Sequence, residues 1–457
     1  MTLLIHDTTV VTADDDAQVL FDAAVAIDGD RIVDVGPSDE VAAKHPQAER
    51  VDGRGKMVMP GFANCHTHLT LTISRGIEED YSFPSTLRLP KSVQEYLTPE
   101  DRSVLAQLGA LESIRSGTTA AFEIGRNLAD YAGDLVGSGL RLLLGESAID
   151  LDQAAARDGV FDYDDARGEA SLQRIEDLYS AFDGAGDGRI RVSAAAHAPE
   201  AVSPSFLPRV REMSERFGTP STIHLNQSWW EVEAVKNVRG VLPTEYLSLH
   251  DFLWPDLIAA HCRCMATPEI QLLGRSGATA SFNSAIAARR GYSPRIGEIA
   301  AAGSPIAMGS DNMAEDMIEV MRTGLFMERV RTGDGERPTP EQAVRWATAN
   351  GNRALGFTDS GVIETGRKAD LIIVDTQRAH LVPSMRIISG FVHQGTPADV
   401  QSMIVDGEWV MRDGAVLTID EPAIVAEAEV VGRRAWGRLL DEFPNAELPI
   451  SLDTRQL

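Results

Sequence analysis

Pro60-Gly61-Phe62-Ala63-Asn64-Cys65-His66-Thr67-His68 follows the apolar run Met57-Val58-Met59 and ends in two imidazoles one residue apart. In an extended segment, residues i and i+2 share a face. Two neutral histidines on one face, just past a strand, are a ready pair of ligands for a borderline metal such as zinc. A His-x-His pair alone is weak evidence, and the rest of the chain decides. His197 lies in Ala196-His197-Ala198-Pro199 and His224 in Thr222-Ile223-His224-Leu225. His261 closes Ile258-Ala259-Ala260-His261, and Asp311 closes Met308-Gly309-Ser310-Asp311. Each stands at the end of an apolar run. The chain has 10 histidines, and His66, His68, His197, His224 and His261 all occupy such places. That clustering points to one assembled metal site rather than to scattered structural histidines.

The elements that must hold these residues follow from the same runs. Met57–Ala63, Thr118–Ile124, Leu140–Gly145, Ile190–Ala196, Ser221–Leu225, Leu257–His261, Ala278–Phe282 and Pro305–Met308 read as strands. Helical patterns lie between them, among them Pro99–Arg115, Ser171–Phe182, Pro204–Phe217, Pro268–Gly274 and Pro340–Leu355. Strands alternating with helices in this number make an α/β fold, a (β/α)8 barrel spanning 56–360. Barrel active sites lie at the C-terminal ends of the strands, where these polar residues fall. An open doubly wound sheet is the alternative, but no Gly-x-Gly-x-x-Gly follows the first strand.

The two ends differ from the middle and resemble each other. Both alternate short β-rich runs with Asp-Gly turns: Asp28-Gly29 near the start, Asp406-Gly407 near the end. Such turns between β-rich runs signal hairpins. Residues 1–55 and 361–420 are therefore expected to form one small β-sandwich. The tail, 421–457, carries an amphipathic helix at about Ile424–Leu440 that is expected to pack on the outside.

Composition sets outer limits. The 457 residues carry 43% hydrophobic and 24% charged side chains and a net charge of -26. The first two are ordinary for a globular enzyme. The charge speaks against nucleic acid and against anionic membrane surfaces as partners. No stretch approaches the roughly 20 apolar residues of a membrane span. The start of the chain has no basic segment leading into a long apolar one. Cys65, Cys262 and Cys264 make no disulfide framework, and their sparsity fits a reducing cytoplasm. A cytoplasmic location is the expectation.

The chain resembles the amidohydrolase superfamily, in its branch of N-heterocycle deaminases and triazine hydrolases (cytosine deaminase-like and chlorohydrolase-like). The matching pieces are Pro60–His68, Ser116-Gly117-Thr118-Thr119, His197-Ala198-Pro199, His224, His261-Cys262, Gly309-Ser310-Asp311, Ala347–Gly351 and Gly361–Asp375. The resemblance implies a barrel with a β-sandwich made from both termini. It implies that His66, His68, His224 and Asp311 bind one divalent metal, zinc first, with iron or manganese also compatible. A bound water would complete the site, its pKa lowered toward 7. Asp311 would take that water's proton, and His261 would hydrogen-bond the water or the developing oxyanion.

Binuclear relatives use a carboxylated lysine or a glutamate as a bridge. No lysine lies between Lys91 and Lys236; Glu146 leaves a glutamate bridge open. The resemblance also leaves a homodimer open.

One position departs from the branch. The residue three after the strand-5 histidine is typically a glutamate, which protonates the ring nitrogen and the leaving amine. Here it is Gln227, which hydrogen-bonds but carries no proton. Three readings stay open: the leaving group needs little protonation, Glu231 or Asp311 serves as the acid, or the site is inactive toward this chemistry.

Candidate substrate contacts are His197, Asn283 and Trp229, the last offering a ring for stacking on a flat heterocycle. Arg88 and Lys91, in the loop after the first strand, are candidates for a substrate carboxylate. The expected activity is metal-dependent hydrolysis at an electrophilic carbon of a nitrogen-rich heterocycle or amidine, with deamination first. Hydrolytic dehalogenation and cyclic-amide hydrolysis are the alternatives. A metal-containing barrel that only binds its ligand is the non-enzyme alternative.

Overall fold

The computed structural model describes residues 2–80 and 89–446. Eight parallel strands stand side by side in chain order: Phe62–Thr67, Thr118–Gly125, Arg141–Ala148, Ile190–Ala196, Ser221–Leu225, Leu257–His261, Thr279–Phe282 and Ile306–Met308. The ring closes between the first and the last. Thr67 bridges Asp311 in parallel sense. The Asp311 amide donates to the His66 carbonyl, and the His68 amide to the Asp311 carbonyl, each at 2.9 Å. The residues expected to hold a metal are thus also the ones that close the barrel. Side chains alternate across the strands. Ala63, Cys65, Ala120, Phe122, Leu143, Ala195, Ile258 and Ala307 fill one cluster, while Phe62, Ala121, Leu142, Leu144, Ala194 and Ala259 join the larger core.

Helix Pro99–Ser116 shows how local sequence sets the boundaries. Thr98 and Asp101 cap its start reciprocally, Pro99 occupies the first turn, and Gly117 ends it at φ 92. A capping box, an N-terminal proline and a left-handed terminal glycine are the expected start and stop signals. The expected helix Pro340–Leu355 is instead two, Pro340–Ala347 and Ala349–Ala354, interrupted at Thr348.

The two ends of the chain share one nine-stranded sheet. Its seam is the antiparallel pair Lys56–Pro60 with Leu371–Asp375, in which Met57 faces Val374 and Pro60 faces Leu371. The sequence reading took Met57–Ala63 as a single barrel strand. The chain divides it at Pro60-Gly61: Lys56–Pro60 belongs to the terminal sheet and Phe62–Thr67 to the barrel. The bend forces a close approach to strand 2, where any side chain at Gly61 would overlap Thr119. His66 therefore lies within the first barrel strand rather than beyond it.

Helix Glu421–Glu442 packs Ala428, Val431, Ala435, Trp436 and Leu439 against Ile73, Ile77, Val93, Tyr96 and Leu105. The Trp436 indole donates to the Ile73 carbonyl at 2.8 Å. This helix thereby braces the segment that follows His66 and His68. Among the described residues no helix is long and apolar enough to cross a membrane.

Candidate metal centre and active site

Five imidazoles and one carboxylate converge at the C-terminal mouth of the barrel. The His66 ring lies 4.8 Å from those of His68 and His224 and 4.9 Å from that of His261, centroid to centroid. His197 stands behind, 5.2 Å from His224. Asp311 Oδ1 is 3.8 Å from His66 Nε2 and 3.6 Å from His68 Nε2. Two overlapping sets have ligand atoms close enough for one ion: His66, His68 and His224, and His66, His261 and Asp311.

The hydrogen bonds around the rings show what the cluster is built for. His68 Nδ1 donates to the Ile124 carbonyl and His224 Nδ1 to the His197 carbonyl, each at 2.5 Å. A carbonyl only accepts, so in each neutral ring the proton is on Nδ1 and Nε2 presents a lone pair. Those two Nε2 atoms face each other at 3.2 Å. Two lone pairs at that separation repel unless a cation lies against both. Backbone carbonyls that fix the tautomer of a ligating imidazole are a usual support of metal sites. His66 is fully buried, with neither ring nitrogen hydrogen-bonded. Buried polar atoms without partners are costly, and a metal relieves that cost. Burial, then the charges of neighbouring His224 and His68, holds His66 well below its ordinary pKa. Burial and His68 push His224 down to about 4. His66 and His224 are thus neutral near pH 7, the form that binds metal. The donor set fits a divalent ion.

A buried polar layer positions these groups from below. Asn64 Oδ1 accepts from the Ser310 amide at 3.0 Å, and Glu315 Oε2 accepts from Thr67 Oγ1 and Ser310 Oγ at 2.6 Å each. Strand 1 and the turn carrying Asp311 are locked together by it. His261 and Asp311 both adopt φ 79, a left-handed conformation that non-glycine residues hold only where the surroundings impose it. Asn283 Nδ2 lies 3.3 Å from His261 Nδ1. An amide nitrogen donates, so Nδ1 accepts and the proton of neutral His261 sits on Nε2. The Asn283 oxygen accepts from Ser281 at 2.8 Å, so Asn283 orients His261 with both ends of its amide.

Other sequence expectations fall differently. Trp229 opens helix Trp229–Arg239 and is 61% exposed. It follows Ser228, whose hydroxyl caps the start of that helix. Its neighbour Trp230 packs near Phe161, at 6.5 Å. Gln227 is buried, and its backbone N–H donates to Glu231 Oε2 at 2.8 Å. Glu231 also accepts from the Asn226 amide at 2.7 Å, so both its oxygens anchor this loop. Burial and the neighbouring Glu200 charge hold its carboxyl well above the ordinary range. Glu146 accepts from the amides of Asn127 and Leu128 and from Arg174, at 2.9–3.0 Å. Its carboxylate is occupied in holding a turn, not in bridging metals. Arg88 lies outside the described residues; Lys91 faces Glu442 at 3.5 Å.

One residue escaped the sequence reading. Arg263 is buried beside the cluster, its Nη2 3.3 Å from Asp311 Oδ2. Its place directly after His261-Cys262 was the available signal. The Cys262-Arg263-Cys264 run drew attention to its thiols, which are buried and free.

The amidohydrolase family model matches residues 57–410. The chain belongs to the amidohydrolase family. Residues 23–48 also match an imidazolonepropionase-like composite domain of bacteria. A 5-methylthioadenosine/S-adenosylhomocysteine deaminase of Pelotomaculum thermopropionicum is 33% identical over 93% of this chain and 97% of its own length. A 5'-deoxyadenosine deaminase of Methanosarcina acetivorans is 30% identical over 95% and 99%. Among solved structures, an adenosine deaminase of Xanthomonas campestris with bound zinc superposes with TM-score 0.86 at 26% identity, over 95% of this chain and 98% of its own. Atrazine chlorohydrolase of Arthrobacter aurescens, in complex with zinc, shares the fold with TM-score 0.84 at 20% identity, over 94% and 100%. This amidohydrolase is therefore a hydrolase built around a divalent-metal site.

Proposed function

We propose that the protein is a mononuclear, zinc-dependent deaminase of an amino-substituted nitrogen heterocycle, a purine-like ring first. The observation that carries this is the pair of facing Nε2 lone pairs of His68 and His224, 3.2 Å apart, with Asp311 beside them. The near full-length deaminase relatives supply the reaction type. Three imidazoles and a carboxylate are a ligand set that zinc accepts.

His66, His68, His224 and Asp311 would hold a divalent ion, which would supply Lewis acidity and make water nucleophilic near neutral pH. Asp311 would accept the proton of the attacking water at Oδ2, the oxygen turned toward His261 and Arg263. His261, with its proton placed on Nε2 by Asn283, donates a hydrogen bond to the attacking oxygen and orients it. The water oxygen bonds the ring carbon, and the ring C=N pair moves onto the ring nitrogen. That pair re-forms the double bond as the exocyclic carbon–nitrogen bond breaks and Asp311 gives its proton to the departing amine. This leaves a ring hydroxyl that tautomerises to the carbonyl. Water and amine become a ring carbonyl and ammonia. Gln227 hydrogen-bonds the ring without moving a proton, and His197 lines the site beside His224.

Zinc-loaded protein should release ammonia from at least one member of a panel holding adenosine, 5'-methylthioadenosine, pterin, cytosine and amino-triazines. Release of chloride from chloro-substituted analogues, with no ammonia from any amine, would reassign it as a dehalogenase. Gln227 favours that second reading, since a halide leaves without a proton.

A further inference from the structure

The proposed chemistry leaves Arg263 without a task. We infer that Arg263 forms an anion subsite beside Asp311, and that the substrate is a nitrogen heterocycle bearing a carboxylate. The inference rests on the metal centre and reaction proposed above and names the substrate class for it.

The argument begins with charge. Arg263 is buried, with a side chain only 1% exposed. Among the described residues its one carboxylate partner is Asp311, at 3.3 Å. Asp311 is at the same time within 3.6–3.8 Å of the metal-facing nitrogens of His66 and His68. One carboxylate thus faces both a divalent ion and a guanidinium. Gln227, whose carbonyl is 3.5 Å from Arg263 Nη1, is neutral where the related deaminases typically hold an acid. A charge buried without sufficient countercharge is strongly disfavoured, and a neutral ring in the site would leave it so.

Geometry specifies the missing group. Arg263 Nε is buried without a hydrogen-bond partner. Arginine presents its donors as a rigid planar fork that matches a carboxylate with two parallel bonds. Nη2 is on Asp311 and Nη1 on the Gln227 main-chain carbonyl, so the donor left open is Nε. Tyr292 covers the guanidinium, its ring centroid 5.7 Å away, and holds the fork in plane. A lysine would provide charge but not this donor.

The test uses matched pairs that differ in a carboxylate: nicotinate against nicotinamide, 5-carboxycytosine against cytosine, and pterin-6-carboxylate against pterin. Affinities are measured by calorimetry on zinc-loaded protein, so turnover is not required. At least one acid should bind roughly tenfold or more tighter than its neutral partner. In Arg263→Met that ratio should fall to about one, and Arg263→Lys should keep part of it. Equal affinities in all three pairs would overturn the subsite. A preference undiminished in Arg263→Met would also overturn it, by placing the carboxylate on the metal. If Arg263→Met does not fold, Arg263→Lys decides: a reduced ratio supports the subsite and an unchanged one removes it. Ammonia release read in parallel separates the two proposals. Acid preference without turnover would sink the deaminase reading alone, and turnover of neutral amines with no acid preference would sink the subsite alone.

Discussion

Gln227 is the residue on which the proton path turns. Its amide cannot ionise, so the rate should not depend on a titrating group at this position. Gln227→Glu should add a limb to the pH–rate profile; an unchanged profile and substrate range would place Gln227 away from the ring. Gln227→Ala should cost a hydrogen bond to the transition state, about 1–3 kcal/mol, or roughly 5- to 150-fold in kcat/KM. A second residue-scale effect comes from Glu315. Burial raises its carboxyl from 4.5 to about 8, against the bonds from Ser310 and Thr67 that favour the ionised form. A carboxyl with a raised folded pKa stabilises fully below its unfolded pKa and loses that stabilisation as pH rises through the folded value. Denaturation of the wild type should show this decline between about pH 4.5 and 8, and Glu315→Gln should abolish that component. A variant with the same slope as the wild type would contradict the assignment. The imidazoles and Asp311 were legible in the sequence because each interrupts an apolar strand at its end. Arg263 was not: its side chain looks like an ordinary surface arginine until the fold buries it against Asp311.

At the scale of elements, barrel closure and metal binding are one structural event. The Asp311 amide bonds the His66 carbonyl, and Asn64 and Glu315 tie the same two segments. Gly309 lies in the tightest part of this seam. A Cβ there would stand 2.9 Å from the His66 nitrogen and 3.0 Å from Asn283 Oδ1. Gly309→Ala should therefore leave a folded barrel with weakened zinc binding, checked by circular dichroism beside a competition titration with a chelator. Unaltered zinc affinity would show that the seam tolerates the shift. The strands themselves were legible as apolar runs, except where two adjoin. Met57–Ala63 carries no charged or polar side chain, and the pairing of Lys56–Pro60 with Leu371–Asp375 shows where one sheet stops and the other begins. The interruption at Thr348 was hidden similarly, because the apolar spacing continues across it.

For the molecule as a whole, the joint between barrel and terminal sheet is ionic and buried. Arg141, on the third barrel strand, donates to Asp370 at 2.9 and 3.1 Å and to Asp406 at 2.6 Å. Lys368 joins Asp406 to Asp30 at 2.7 Å each, so both ends of the chain enter the network. Burial opposes the Arg141 charge, but the two aspartates overcome it and hold the guanidinium above its usual range. Removing one partner from a buried network leaves charge uncompensated, at about 3–5 kcal/mol. Arg141→Met should lower the unfolding free energy by that order and speed hydrogen exchange in both Leu3–Val11 and Leu371–Asp375. Faster exchange in one segment alone would contradict a sheet that stands or falls as a unit. The pairing of the two ends was legible from their matching Asp-Gly hairpins; the joint was not, because nothing in sequence spacing brings residue 141 to 370 and 406.

The metal content of the purified protein tests the central claim most directly. Elemental analysis of protein equilibrated with zinc and then freed of unbound ion should find one ion per chain, lost in His68→Ala and in His224→Ala while both variants stay folded. Two tightly held ions per chain, or a single ion retained in both variants, would contradict it.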